Sequence, residues 1–283
     1  MSNRMPPSSG TVGSTDASRL EQAVPVTLPP KSPGRLIRLL ILPALMLVIW
    51  QVTAELRIYN PILLPPPTRV LQSAISMIGS GELFRHFADS VQRIAFANLI
   101  AISAAVPLGI FMGRYKVVED LMDGLLNILR PIPPLAWIPL AILWFGLGER
   151  SVVFITLISA FFAILINTIA GVRAVDKSLP RAALTLGASQ SDLIKDVILP
   201  AALPHIFTGI RIALGVSWMS IVAAELIASS SGLGYMINYY REVLRSDLIL
   251  VGMLTIGVVG FSMDRVLLWL ERKLLPWRAK SEV

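Results

Sequence analysis

The chain has 283 residues, 54% of them hydrophobic and only 15% charged, a balance too apolar for an ordinary soluble domain and that of a membrane protein. Its formal charge of +7 does not point to nucleic acid, because the basic residues stand in short loops between apolar spans instead of on one soluble face. The absence of cysteine excludes disulfides and thiolate metal sites, and the two histidines, His86 and His205, argue against a histidine-rich metal centre.

Residues 1–34 are rich in Ser, Thr, Pro and Gly without apolar periodicity, the composition of a disordered tail. Arg35 and Arg38 then precede a first apolar span, about 36–54, long enough to cross a ~30 Å hydrocarbon core at ~1.5 Å per residue. Its Val52-Thr53-Ala54 exit resembles a signal-peptidase site only faintly, and the long preceding tail argues against a cleaved signal. Residues 55–90 read as an external segment, with Pro61, Pro65, Pro66 and Pro67 imposing an extended entry and an amphipathic run holding Val70, Leu71, Ile75 and Ile78. His86 and Asp89, three residues apart, are expected there as a solvated pair.

A second span, about 95–112, closes on the basic turn Gly113-Arg114-Tyr115-Lys116. The third, about 118–146, is interrupted by Arg130-Pro131-Ile132-Pro133-Pro134 and again by Pro139, where missing N–H groups and ring clashes bend or break a helix. The fourth, fifth and sixth spans cover about 152–172, 206–228 and 248–270. Arg173, Lys177, Arg181 and Lys195 make the 173–205 loop basic, and Arg272, Lys273, Arg278 and Lys280 do the same for the C-terminus, so both belong in the cytoplasm. The connection 229–247, with Gly232, Gly234, Tyr235, Tyr239 and Tyr240, reads as external.

Within the basic loop, Arg181–Pro200 is the one long polar-amphipathic stretch between apolar spans. Leu179, Ala182, Ala183 and Leu186 share one helical face, with Ser178 and Pro180 at the start. Gly187 stands where a helix closes on a left-handed residue, a conformation that glycine adopts without a Cβ penalty. Ser189 and Asp192 form a capping-box pattern for a second helix, whose apolar face is Leu193, Ile194, Val197 and Ile198 and which Pro200 is expected to stop. The same pattern suits an amphipathic helix resting on a membrane surface.

The spacing Arg181-Ala182-Ala183, Gly187, Val197, Leu199-Pro200 resembles the cytoplasmic-loop motif of ABC-importer permeases, which has an acidic residue in place of Arg181 and isoleucine in place of Val197. The resemblance extends over residues 36–278. Leu64–Pro67, Pro131–Gly148, Gly209–Ala228 and Leu275-Pro276-Trp277 are similar to the nitrate, sulfonate and taurine branch, and most of all to its taurine permeases. It implies an all-α polytopic membrane protein with six transmembrane helices in a MetI-like fold, a permease domain at 35–278, and tails at 1–34 and 279–283. It also implies a homodimer with two copies of an ABC ATPase subunit and an extracytoplasmic substrate-binding protein, in a bacterial inner membrane with both termini cytoplasmic. The implied function is import of taurine or a related aliphatic sulfonate by alternating access. Nitrate or bicarbonate are alternative cargoes, and a membrane enzyme or a scaffold without transport is the reading from another class. No Gly-x-x-x-x-Gly-Lys-Ser/Thr loop occurs, so no cofactor is expected in this chain, and ATP and Mg belong to the partner ATPase.

By this resemblance the ATPase-coupling candidates are Arg181, Ala182, Ala183, Gly187, Val197, Leu199 and Pro200; no catalytic residue is assigned. Ionisable groups at membrane depth face protein or water, so Arg130 and Glu225 are pathway candidates. Arg130 precedes a half-helix near Leu135 whose N-terminus is able to face an anion, or else it marks a packing kink. Trp137 and Trp144, seven apart, either line a pathway or pack against lipid and protein. Ser217, Trp218 and Ser220 lie on the fifth span beside the small-residue stripe Gly209, Ala213 and Ser217, which suits close helix packing. Glu225 is expected to meet Arg241, Arg245 or headgroup water, and Asp264 and Arg265 to neutralise each other or to snorkel inward.

Overall fold

The computed structural model describes residues 33–275. The tail expected over 1–34, apart from its last two residues, and the terminal segment 279–283 lie outside the described residues. The chain divides into two units, Met1–Ile49 and Trp50–Val283. The first holds most of α1 (Pro33–Glu55), an apolar helix with Pro43 inside it. The side chains of residues 41–49, among them Leu42, Met46 and Val48, are exposed, as they are on a helix whose solvent is lipid.

The second unit is all helical. Its elements are α2 (Pro67–Gly79), α3 (Glu82–Arg114), α4 (Lys116–Leu129), a 3₁₀ turn (Pro134–Trp137), α5 (Ile138–Phe145), α6 (Glu149–Arg173), α7 (Ser178–Thr185), α8 (Gln190–Asp192), α9 (Leu199–Ala228), α10 (Leu233–Glu242) and α11 (Ser246–Leu274). Among the described residues, four stretches are long and apolar enough to cross a membrane: α3, α6, the continuous run Gln190–Ala228, and α11. A fifth is obtained if α4 and Pro134–Phe145 form one broken span, which bends by 84° at the proline run. The described apolar part of α1 is Ile41–Glu55, so among the described residues four or five of the six expected transmembrane helices are seen as long apolar spans.

The core is a three-helix packing of α3, α6 and α9. Small residues let these backbones approach, since van der Waals packing replaces the hydrophobic effect between membrane helices. A Cβ on Gly109 would lie 2.7 Å from Thr168 Cβ, and one on Gly209 would lie 2.7 Å from Asn167 Cβ. Ala101, Ala105, Ala160 and Ala213 fill the same layer with Ile164 and Leu165. The stripe Gly209, Ala213 and Ser217 is therefore spent on packing within this chain; Ser217 Oγ accepts a hydrogen bond from Asn98 Nδ2 at 3.0 Å.

Two boundaries differ from the expected ones. α3 starts at Glu82, thirteen residues before the expected span, so His86 and Asp89 lie on it and not in an external loop. Pro200 does not stop a helix: Leu193–Ile198 forms a π turn, with Leu199 N–H bonded to Ile194 O, and the chain runs on through α9. The wider π register shifts the hydrogen-bond ladder just before the proline, and Pro200 then sits in the first turn of α9, where a missing N–H is harmless.

Candidate functional site

The loop between α6 and α9 is an elbow built almost entirely from local rules. The Asp176 carboxylate accepts from Ser178 N–H at 2.8 Å and opens α7. That bond holds the Asp176 carboxyl below its ordinary pKa. At the other end of α7, Ala188 N–H bonds Ala183 O and Gly187 N–H bonds Leu184 O, both at 3.0 Å, a Schellman closure with Gly187 at φ +88°. Ser189 then caps α8: its Oγ accepts from Asp192 N–H at 3.3 Å, and its own N–H donates to Asp192 Oδ2 at 3.0 Å. Ala183, Val197 and Leu199 pack onto a buried cluster of Ile110, Val172, Leu193, Ile198, Ala202 and Ile206, which roots the elbow on the membrane helices. Arg181, Ala182 and Gly187 are exposed, and Leu186 beside them is 88% exposed.

The proline break follows α4. Arg130 caps that helix, with its N–H bonded to Leu126 O at 2.9 Å, and its side chain is exposed. Together with Glu119, Asp123 and Asn127 it lines one wall of a 250 Å³ groove whose opposite wall includes Phe162, Ile166 and Ile169 of α6. Two of the amides beyond the break are already engaged, Ala136 N–H to Pro133 O and Ile138 N–H to Leu135 O, which weakens the expected anion-holding helix start. Trp137 lies in the 3₁₀ turn and Trp144 in α5, so their seven-residue spacing is not carried by one helix. Trp137 is half-buried; Trp144 is exposed and packs edge-on to Phe154 at 5.9 Å.

At the other end of the core, Glu225 is fully buried and fully engaged. Its Oε1 accepts from Arg93 Nη1 at 2.9 Å, its Oε2 accepts from Gly234 N–H at 2.9 Å, and Ser90 Oγ lies 2.9 Å from both. Arg93 donates onward to Ser231 O at 2.9 Å and Ser231 Oγ at 2.7 Å, and its Nη2 approaches Glu149 at 3.4 Å. Ser90 Oγ also accepts from Leu233 N–H at 2.8 Å, and His86 Nδ1 accepts from Gly232 N–H at 3.1 Å. One buried ionic knot thus joins α3, the start of α6, the end of α9 and α10. The chemistry is that of a clamp, since both Glu225 oxygens and both terminal nitrogens of Arg93 are taken up within the protein, leaving only Arg93 Nε without a partner.

The sequence relatives decide what this scaffold is. The family model described as "binding-protein-dependent transport system inner membrane component" matches residues 105–276. The chain belongs to that family. A putative ABC transporter permease protein of Methanocaldococcus jannaschii is 46% identical over 84% of this chain and 90% of its own length. The taurine transport system permease protein TauC of Escherichia coli is 39% identical over 84% of this chain and 89% of its own. A putative aliphatic sulfonates transport permease protein of Bacillus subtilis is 41% identical over 89% and 93%. Among solved structures, an inward-facing MetNI methionine ABC transporter superposes with a TM-score of 0.52 at 19% identity, over 66% of this chain and 96% of that one, a likeness of fold. This protein is a membrane permease subunit of an ABC importer in the nitrate, sulfonate and taurine group, and a transport subunit without a catalytic role of its own.

In the permease, five of the seven coupling candidates lie in the elbow and Leu199 and Pro200 open α9 behind it, but the pathway candidates do not converge. Arg130 lines the groove between α4 and α6, whereas Ser217, Trp218, Ser220 and Glu225 are all buried on α9. Two ion pairs differ from expectation. Glu225 pairs with Arg93, not with Arg241 or Arg245, because Arg245 holds Asp247 at 2.8 Å and Asp247 in turn accepts from Ser73 Oγ of α2 at 2.6 Å. Asp264 takes Arg211 of α9, at 2.6 and 3.1 Å, while Arg265 lies over the Phe261 ring. His86 is likewise buried against Gly232, where a solvated pair with Asp89 was expected. Ser90, Arg93 and Asn98 went unnoticed in the sequence. Their signal was present as polar residues at helical spacing running into an apolar span.

Proposed function

We propose that this permease carries taurine or a related aliphatic sulfonate into the cytoplasm, as a homodimer with two ATPase subunits and an extracytoplasmic binding protein that delivers the cargo. ATP and Mg act on the ATPase subunits. The observation that carries the coupling part of this reading is Leu186, an apolar side chain 88% exposed at the tip of a rigid elbow in a basic loop, with Leu179 and Leu184 about half exposed beside it. A conspicuous apolar knob on a polar loop is a docking feature, and the Schellman closure and capping box make it stiff enough to transmit a push. The elbow's roots in Val172, Ile198 and Ile206 provide the mechanical path from the ATPase to α6 and α9.

The substrate rests on the cargoes for which the taurine and sulfonate relatives are named, and these relatives span most of this chain. Uptake of labelled taurine by source cells with and without the gene, with excess unlabelled nitrate in a parallel sample, tests it. Loss of uptake on deletion, unaffected by nitrate in the wild type, is the expected result. Unchanged uptake removes taurine as the cargo and leaves the permease assignment intact.

A further inference from the structure

A cavity of about 530 Å³ lies where the ends of α3 and α6 meet α7, lined by Gly113, Arg114, Arg173, Lys177, Arg181 and neighbouring apolar groups. Four cations border it and no carboxylate does. Only Arg173 has an acidic partner among the described residues, Glu119 at 2.8 Å. Arg114 has none; its guanidinium lies 5.4 Å from the Tyr115 ring centroid, and its Nε is buried without a hydrogen-bond partner. Basic residues that merely set topology spread along a surface, whereas a concave wall of one sign focuses the field and draws a counter-ion.

We propose that this cavity binds a phosphate group, which pins the coupling elbow to the ends of α3 and α6. With Arg173 held by Glu119, the Arg114 and Arg181 guanidinium forks and the Lys177 ammonium suit a tetrahedral, multiply charged oxyanion. Arg114 and Arg173 are the last residues of α3 and α6, two helices long and apolar enough to cross a membrane, so a cavity at their ends suits a lipid phosphate as well as a soluble one. The group comes either from an anionic lipid or from a soluble phosphate. Arg181 is then explained: it closes the cavity from α7, so the bound anion is shared between the elbow and the membrane helices. The consequence for coupling rests on the function proposed above, but phosphate binding itself does not, and its test reads binding and not transport.

The chain contains no cysteine, so Leu186→Cys gives a single labelling point on the elbow for an environment-sensitive dye. The full-length labelled chain is placed in discs of neutral phosphatidylcholine, or of phosphatidylcholine with phosphatidylglycerol, and titrated with inorganic pyrophosphate against chloride at matched ionic strength. A saturable dye response to pyrophosphate in neutral discs identifies a soluble phosphate as a ligand. A response already present with phosphatidylglycerol, and little added by pyrophosphate, identifies the lipid. In either case Arg114→Gln/Lys177→Gln/Arg181→Gln weakens binding by about tenfold or more, and the exposed single change Lys177→Gln, which leaves the fold alone, weakens it in the same direction. Lys195→Gln/Arg272→Gln/Lys273→Gln, removing as many charges outside the cavity, leaves it unchanged. Equal weakening by the two triple variants reduces the effect to general surface charge and overturns the proposal. It is equally overturned if neither phosphate source moves the dye, including the case in which only the ATPase subunit does, which would make a protein the occupant.

Discussion

Glu225 keeps a carboxylate where no solvent reaches it, and everything that makes this tolerable comes from other elements: Arg93 and Ser90 from α3 and the Gly234 N–H from α10. Removing the cation leaves an uncompensated buried charge, so Arg93→Ala is expected to destabilise the permease by about 3–5 kcal/mol, measured by thermal or urea unfolding in detergent. Arg93→Met/Glu225→Gln, which removes both charges, is expected to recover a large part of that loss. If the double variant is no more stable than Arg93→Ala, the charge pairing is not what holds the knot. Gly232 belongs to the same knot. Its φ of +103° strains any other residue, and an added Cβ would fall within the contact shell of the Glu225 carboxylate. The sequence marked Glu225 as a carboxylate in need of a partner, but the partner lies 132 residues earlier, and proximity in the chain pointed instead to Arg241 and Arg245. Pairing across helices depends on their packing, which residue patterns alone do not encode.

At the level of elements, the best-read parts of the chain are those governed by local bonding. The α7 closure at Gly187 and the Ser189–Asp192 box appear as expected, because each needs only neighbours within a few residues. The π turn before Pro200 was not legible, since an apolar pattern over six residues fits α and π registers alike. Gly187 has open space where a Cβ would go, so its requirement is for backbone conformation and not for room. Gly187→Val is therefore expected to weaken the elbow by ~1–2 kcal/mol and to lower uptake per molecule at normal membrane abundance, while Gly187→Asn, which tolerates a left-handed backbone, retains most of it. Equal uptake in the two variants would separate the elbow's shape from coupling. α10 is tied to α3 by a second device: Tyr240 O–H donates to Glu82 at 2.6 Å, and burial, with help from that carboxylate, pushes the phenol up to about 12. An acid whose folded pKa is raised keeps its proton when the unfolded chain would release it. Its contribution is thus complete below pH ~10 and is lost between there and about 12. Phenolate absorbance should show one of the five tyrosines titrating late, and Tyr240→Phe should remove that late step and flatten the loss of stability in the window.

Over the whole molecule, the fold class and the broken span were readable from hydropathy and proline placement, and the number of spans less so. α3, with 33 residues, reaches about 50 Å, well beyond a ~30 Å hydrocarbon core, so helix length and membrane span are different quantities here. Within the Trp50–Val283 unit, α3 runs from the α10 end, where His86 meets Gly232, to the elbow end, where Gly113 and Arg114 border the cavity with Arg181. The two ends differ in their lysines. Lys116, Lys177 and Lys195 stand at or beside the elbow with Arg114, Arg173 and Arg181, among the acids Glu119, Asp120, Asp176, Asp192 and Asp196, whereas the α10 end mixes Arg93, Arg245, Glu82, Glu149 and Asp247 and has no lysine among the described residues. Retention of Lys and Arg on the cytoplasmic side during insertion predicts that the elbow faces the cytoplasm and α10 the exterior. The cysteine-free sequence makes this directly measurable, with Leu186 at 88% exposure and Tyr239 at 47% as single-cysteine positions. In intact spheroplasts a membrane-impermeant maleimide is expected to label Tyr239→Cys and spare Leu186→Cys, and in inverted vesicles the order should reverse. Labelling of Leu186→Cys from outside would place the elbow beyond the reach of a cytoplasmic ATPase, and with it would fall the coupling role of Gly187 and its neighbours, though not the family or the fold.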